Sequence, residues 1–294
     1  MMIIQTIISG ILLGGIYALI SMGLNMILGV VRIINFAHGE FLMIAMYLSF
    51  IFYAWAGLDP YASAILVVVL LFLLGIVTQK GLIEPILDKP ASTKIFVTLG
   101  LSIVLQNLAL MIFNANYMSV STPYQMSTIN LFGIAISVPR LIAFIVVIAI
   151  VVLLYLFLQN TMVGRAIRAV SMQRQAAYLV GINVKRIYLL AFGIGTALVG
   201  LAGSMLMPIY SVYPTLGASF VLIAFVVVVL GGMGNMFGAF YGGLLIGVIE
   251  SLAGVLFSPG LKEVVYFIIF ILVLLVKPSG IFSRGKGSEE VGLL

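Results

Sequence analysis

Long apolar stretches with almost no charge dominate this sequence and constrain what it can fold into. Of its 294 residues, 64% are hydrophobic and 7% charged, whereas soluble domains contain roughly 25% charged residues. A helix of about 20 apolar residues crosses a bilayer while satisfying its own backbone groups. We therefore predict an all-α, polytopic integral membrane protein with about eight to nine transmembrane helices, forming one membrane domain over residues 1–294. The predicted spans are 3–30, 41–57, 61–79, 95–113, 139–158, 187–209, 219–231, 237–257 and 263–276.

Basic residues predict the orientation, because cytoplasmic loops of membrane proteins are enriched in Lys and Arg. Segment 159–186 has five basic residues and no acid, whereas 114–139 is uncharged. With nine crossings, every basic cluster is cytoplasmic if the amino terminus lies outside and the carboxyl terminus inside. Stretch 219–231 is short for a full crossing, at about 20 Å of helix. The other clusters are Lys80, Lys89 and Lys94, and Lys277, Arg284 and Lys286.

Composition excludes several classes of function. The chain has no Cys and one His, so thiol chemistry and a histidine metal cluster are excluded, and we expect no catalytic or metal site. The net charge of +6 is typical of cytoplasmic loops, so no nucleic-acid partner is expected. Residues 280–286 resemble the start of a phosphate-binding loop, but Gly287 replaces the required Ser or Thr. We expect this chain to bind no cofactor and any ATP to be used by partner subunits.

Two irregular segments are predicted to interrupt the helices. In 32–40, the polar residues Asn35, His38 and Glu40 lie between apolar runs. The favoured interpretation is a loop at the cytoplasmic surface with His38 as a surface imidazole, and the alternative is a gate or pathway element. From 231 onward, Gly234, Gly238 and Gly242 recur every four residues and predict one helix face, which Gly243, Gly247 and Gly254 extend. This spacing favours close helix packing over a broken helix beside a substrate pathway. The pathway candidates here are Gly231, Gly232, Gly234 and Asn235.

An acidic residue lies inside a predicted span. Glu250 falls within 237–257, where a carboxylate costs about 2.5 kcal/mol or more unless it is paired or hydrated. It is expected to face protein or water, as a pathway residue or as a structural pair. Arg140, Lys262 and Glu263 lie near span ends and are predicted to reach the membrane interface.

Segment 159–186 includes a predicted slim basic helix over 162–180, ended by Gly181. Such a helix suits an anionic lipid surface or a groove on a soluble partner, and the residues alone do not choose between them. Its candidate contact residues are Gly164, Arg165, Arg168, Arg174, Ala177 and Gly181.

Several segments together resemble the permease family of bacterial branched-chain amino-acid ABC importers. Each motif is weak alone, but their order and spacing along nearly the whole chain are specific. Family members often have an acid near Gln173 and a Pro at the position of Phe237, and this sequence departs from both. The segments are Tyr17–Ile20, Asn35–Glu40, Gly164–Ala169, Ala177 with Gly181–Asn183, Leu230–Gly234, Gly238–Ala239 and Val273–Ile281.

The resemblance implies a transport subunit of the cytoplasmic membrane that is not an enzyme. Segment 159–186 would then include a coupling helix that rests on a cytoplasmic ATPase, which moves the lipid-surface interpretation to second place. The implied partners are a second, homologous permease, two ATP-binding subunits and an extracytoplasmic substrate-binding protein, besides membrane lipid. Branched-chain amino acids are the implied cargo. Importers of urea, short amides or other small carboxylates share the scaffold, and a stand-alone channel or carrier is the remaining alternative.

Overall fold

The computed structural model describes residues 2–131, 133–257 and 260–282, which form a bundle of α-helices with one small hairpin. Strands β1 (Thr128–Leu131) and β2 (Ile134–Ser137) pair antiparallel in the loop before α5. The helices are α1 (Met2–Val31), α2 (His38–Ala56), α3 (Pro60–Thr78), α4 (Ala91–Phe113), α5 (Val138–Asn160), α6 (Met162–Met172), α7 (Arg174–Leu179), α8 (Val184–Leu206), α9 (Leu216–Gly231), α10 (Met236–Leu256) and α11 (Lys262–Val276).

The prediction of a polytopic all-α membrane protein is confirmed. Within the described ranges, seven helices are long and apolar enough to cross a bilayer, namely α1, α2, α3 with its extension to Ile86, α4, α5, α8 and α10. Each predicted span coincides with a helix. Helices α9 and α11 have 16 and 15 residues, or about 24 and 22 Å of rise against a core of about 30 Å. Full crossings by these two, and hence the count of nine, stay predictions.

Helix α1 is the centre of the bundle and packs on α10, α8, α5 and α9. Several of its contacts are backbone to backbone, because glycines of α8 and α10 face it on two sides. A methyl group at Gly243 would lie 2.4 Å from the Ala18 nitrogen, and one at Gly23 would lie 2.5 Å from the Gly195 oxygen. Small residues allow this close approach, and the dispersion contacts it creates drive helix association in lipid.

The predicted glycine face of α10 is wrong in part. Gly234 lies in the turn before the helix with φ +81°, so it shares no helical face with Gly238 and Gly242. Gly254 has open space where a side chain would be. Gly243 and Gly247 pack against α1, which confirms that part of the predicted face.

The predicted single helix over 162–180 is also wrong. Gln173 has extended backbone dihedrals, φ −150° and ψ 104°, and separates α6 from α7. The extended backbone of Gln173 ends the first helix without a glycine or proline, so the sequence contains no stop signal at this position. Residues 283–294, including Arg284, Lys286 and Gly287, lie outside the described residues.

Replacing Gly247 with Val is expected to destabilise the fold, because its side chain would collide with α1. A Cβ there would lie 2.4 Å from the Gly10 oxygen and the Gly14 Cα, and overpacking of this kind costs about 1–3 kcal/mol. The midpoint of thermal unfolding in detergent measures the effect. Gly254→Val, on the same helix with open space around it, is the control. Equal midpoints for the two variants would contradict the packing.

Candidate functional site

Residues 32–37 run from the end of α1 back into the bundle. The His38 Nε2 atom is 3.0 Å from the carbonyl oxygen of Ile20, which lies eleven residues before the end of α1, or about 16 Å along that helix. Helix α2 therefore begins deep inside the protein. Asn35, His38 and Glu40 are at most 2% exposed.

The prediction of a surface loop with His38 as a surface imidazole is thus wrong, and a break in the helices near 32–40 is confirmed. A short polar segment between two apolar runs fits an interfacial loop and a buried one equally well. The packing of α1, which supplies the Ile20 carbonyl, decides between them.

The carboxylate of Glu40 lies where the amino termini of two helices meet. Glu40 is in the first turn of α2, and a Cβ added to Gly217 in the first turn of α9 would lie 2.5 Å from its Oε2 atom. The Ser102 hydroxyl donates to Oε1 at 3.2 Å. Helix amino termini carry partial positive charge, and α9 has no side-chain cap of its own. Both helix dipoles therefore favour a negative group at this point.

Buried polar atoms without a protein partner surround this region. Buried polar groups normally find a partner, and exceptions concentrate at functional sites. Within the described part of the chain, the unpartnered atoms on α1 and in residues 35–40 are Ser21 Oγ, Asn25 Nδ2, Asn35 Nδ2, His38 Nδ1 and Glu40 Oε2. A pathway role for Asn35, His38 and Glu40 stays a prediction.

The second break, residues 232–235, confirms the predicted interruption near 231–238. Gly232 and Gly234 have positive φ angles of 94° and 81°, which glycine adopts without strain. Asn25 Oδ1 of α1 accepts a hydrogen bond from the Gly234 nitrogen at 2.6 Å. Asn235 Oδ1 accepts from the Gly238 nitrogen at 3.1 Å and so caps α10.

The carboxyl-terminal tail covers the end of α9 at this break. The Ile281 nitrogen donates to the Leu230 oxygen at 2.7 Å, and Asn235 Nδ2 donates to the Phe282 oxygen at 2.9 Å. Gly231 meets Gly238 with no room for a side chain on either. Close packing therefore accounts for these two glycines, and a pathway role for Gly231, Gly232, Gly234 and Asn235 stays a prediction.

Glu250 lies apart from both breaks, near the other end of α10. Its Oε1 atom is 2.8 Å from Lys262 Nζ, with the Glu250 side chain 5% exposed. Lys262 therefore pairs with a buried carboxylate, and its position at the membrane interface stays a prediction. Glu250 Oε2 has no hydrogen-bond partner among the described residues.

Segment 159–186, which contains α6 and α7, lies at the end of the bundle where α1 ends. Thr161 Oγ1 caps α6 by accepting from the Gly164 nitrogen at 2.9 Å. Gly164 and Ala177 face inward, whereas Arg165, Arg174 and Gly181 are exposed. Arg168, half-buried, donates to Gln159 Oε1 at 2.9 Å.

Two acids in the connection between α3 and α4, which the sequence did not single out, pair with this segment. Arg174 of α7 is 3.6 Å from Asp88, and Lys185 of α8 is 2.8 Å from Glu84. These pairs are exposed and contribute at most about 1 kcal/mol each, so they fix the segment only weakly. The apolar side chains of Tyr178, Leu179 and Val180 point outward and are at least 72% exposed.

The predicted site residues therefore occupy separate places. Glu40 lies at the start of α9, with His38 against α1 and Asn35 capping the turn before it. The glycine break lies at the end of α9, and Glu250 lies near the carboxyl end of α10. The sequence did not indicate Ser21, Asn25, Ser102 or Gly217, because single small or polar residues in an apolar helix carry no pattern. An apolar bundle with two buried breaks and an exposed basic segment defines the class of multi-pass α-helical membrane proteins.

Comparison with known proteins identifies the family. A family model described as branched-chain amino acid transport system / permease component matches residues 6–274, and the chain belongs to this family. It is 33% identical to the high-affinity branched-chain amino acid transport system permease protein LivH of Salmonella typhimurium and 32% identical to LivH of Escherichia coli K12. BraD of Pseudomonas aeruginosa, described in the same words, is 33% identical.

Each of these three alignments covers 96% of this chain and 96% of the relative. No solved structure matches the chain significantly. The fold and the family together make this protein a permease component of an ABC importer, as the sequence motifs indicated.

Asn25→Ala is expected to loosen the second break, because the Gly234 nitrogen would lose its acceptor. Leaving a partly buried donor unpaired costs about 1–3 kcal/mol, which thermal unfolding of the purified protein measures. Asn107→Ala is the control, since Asn107 is exposed and its side chain donates only to the Ile103 carbonyl of its own helix. The account fails if Asn25→Ala is as stable as Asn107→Ala.

Proposed function

We propose that this chain forms half of the transmembrane pathway of an ATP-driven importer of branched-chain amino acids in a bacterial cytoplasmic membrane. The observation that carries the proposal is the similarity to LivH and BraD, which covers nearly the full length of each partner in the alignment. The two buried breaks support it, because they place polar groups and helix ends inside an otherwise apolar bundle.

The second half of the pathway is a homologous permease subunit. Two cytoplasmic ATP-binding subunits supply the energy, and an extracytoplasmic binding protein delivers the substrate. This chain binds no cofactor itself. The amino terminus lies outside and the carboxyl terminus in the cytoplasm, which places α6 and α7 on the side of the ATPases. Residues 1–294 act as one permease domain.

Segment 159–186 couples ATP hydrolysis to the pathway. Arg165, Arg168, Arg174 and Gly181 present the contact surface, while buried Gly164 and Ala177 seat it on the bundle. The exposed apolar group Tyr178, Leu179 and Val180 extends this surface and suits a protein groove. The segment also touches α1, since Arg32 Nη2 donates to the Ser171 oxygen at 3.3 Å. Movement of α6 therefore reaches the helix that holds both breaks.

Charge reversal in this segment is expected to weaken assembly. Arg165→Glu with Arg168→Glu replaces two cations by anions, so we expect less ATPase to copurify with the permease from mild detergent and ATP-dependent uptake to fall in proportion. Lys89→Glu is the control, because Lys89 is an exposed cation outside segment 159–186. Unchanged copurification of the double variant would contradict the coupling role and leave the permease assignment intact.

A further inference from the structure

A small cavity lies at the end of the bundle where α1 ends. It is enclosed by the last turn of α1, the residues that follow it, the starts of α4, α7 and α8, and one residue of α6. Its volume is about 280 Å³, close to the lower end of the range of about 300–1,000 Å³ for small-molecule sites. Since α1 and α4 are both long enough to cross a bilayer, the cavity lies where two spans reach the membrane interface.

Three cations from three separate elements line this cavity. Arg32 follows α1, Lys94 lies in the first turn of α4, and Arg174 begins α7. No acid of the described residues is in the lining, although Asp88 approaches Arg174 from outside it at 3.6 Å. In the described ranges the Lys94 ammonium has no ion pair or hydrogen bond, and the Arg32 guanidinium has one bond, to the Ser171 oxygen. The cavity therefore keeps an excess of positive charge.

Two of these cations are held at the cavity by their surroundings. Arg32 has a φ angle of 59°, a left-handed conformation that usually belongs to glycine at the end of a helix. An arginine is strained there, so a function for its side chain would explain why it occupies this position. The Arg174 guanidinium lies over the Tyr188 ring, 5.6 Å from its centroid, and this cation–π contact keeps it beside the cavity.

The amino terminus of α4 adds further positive potential. This helix of 23 residues has no side-chain cap, and its first-turn residues Ala91 and Lys94 line the cavity. The first amides of a helix have no partner within it and carry partial positive charge. The helix terminus and the three cations thus favour an anion in the same small space.

The surface next to the cavity suits an anion that carries an apolar tail. Ile95 lines the cavity, and Leu99 and Ile103 follow it at intervals of four residues, on the same face of α4. These two side chains are 36% and 58% exposed. The cavity has room for a phosphate headgroup but not for acyl chains, which can lie along this apolar face within the bilayer.

We propose that the cavity binds the phosphate group of an anionic phospholipid between Arg32, Lys94 and Arg174, with an acyl chain along Leu99 and Ile103. Basic pockets between membrane helices bind the headgroups of anionic lipids. The bound phosphate links the end of α1 to the start of α4 and to α7. The proposal goes beyond the proposed function, because it requires only that the chain lies in a bilayer and involves neither cargo nor ATPase.

The test is thermal unfolding of the full chain in an uncharged detergent to which one lipid at a time is added. Phosphatidylglycerol, which has a net negative charge, is expected to raise the midpoint until the site saturates, because a ligand of the folded state stabilises it. Phosphatidylcholine with the same acyl chains has no net charge and is expected to have little effect. Glycerol 3-phosphate supplies the phosphate without a tail and is expected to act only at much higher concentration.

Lys94→Gln is expected to raise the half-saturating concentration of phosphatidylglycerol about tenfold, as for loss of a charged hydrogen bond. Lys89→Gln is the matched control, because Lys89 is an exposed cation in the connection before α4 and outside the cavity lining. Without lipid, both variants are expected to unfold at the wild-type midpoint, since neither ammonium has a partner among the described residues.

Arg32→Asn gives an independent test, because asparagine tolerates the left-handed backbone conformation and lacks the guanidinium. We expect a weaker response to phosphatidylglycerol with little change in the midpoint measured without lipid. A lower midpoint without lipid, combined with an unchanged response to phosphatidylglycerol, would make Arg32 a structural residue only and would contradict its role in the site.

Three other outcomes would overturn the proposal. Equal stabilisation by phosphatidylcholine would show that the negative charge is not recognised. Saturation by glycerol 3-phosphate at the concentrations that suffice for phosphatidylglycerol would make the cavity a site for a soluble phosphate ester. Equal responses of Lys94→Gln and Lys89→Gln would show that the lipid binds elsewhere.

Discussion

The rest of the structure depends on the close contact of α1 with its neighbours. Glycines on α1, α8 and α10 let backbones meet where ordinary side chains would keep helices several ångströms apart. Because no hydrophobic force drives helices together inside lipid, such close packing is the main source of their association. Because its neighbours fix α1 in this way, α1 can determine the positions of the two irregular segments, 32–37 and 232–235.

Both breaks take their position from α1. Its Ile20 carbonyl meets His38 at the start of α2, and its Asn25 side chain holds the turn before α10. Helix α9 joins the two places, since it starts beside Glu40 and ends at Gly231. Helix α9 therefore has the buried polar groups of the first break beside its start and the hydrogen-bonded glycines of the second break at its end. Under the proposed function, a movement of α6 against the end of α1 would reach both breaks, and this is how we propose that coupling works.

The sequence predicted the membrane class, the positions of the nine apolar helices and the two breaks. The length of an apolar run and the clustering of polar residues are local properties of the sequence. The membrane class, the helix positions and the two breaks depend on little else. The predictions from sequence were wrong where a contact between residues distant in the chain determines the local structure. The burial of His38 depends on a carbonyl eighteen residues earlier, and the partner of Glu250 lies across a connection on α11. The split between α6 and α7 at Gln173 depends on how these two short helices pack on the bundle. No residue type in that segment predicts it.

The most direct test of a transport subunit powered by other chains is uptake of radiolabelled leucine into liposomes. The permease is reconstituted alone, or with the second permease, the ATPases and the binding protein, with and without internal ATP. The account predicts that leucine accumulates only in the complete assembly with ATP. Accumulation by this chain alone, driven by an ion gradient, would contradict it and identify a stand-alone carrier.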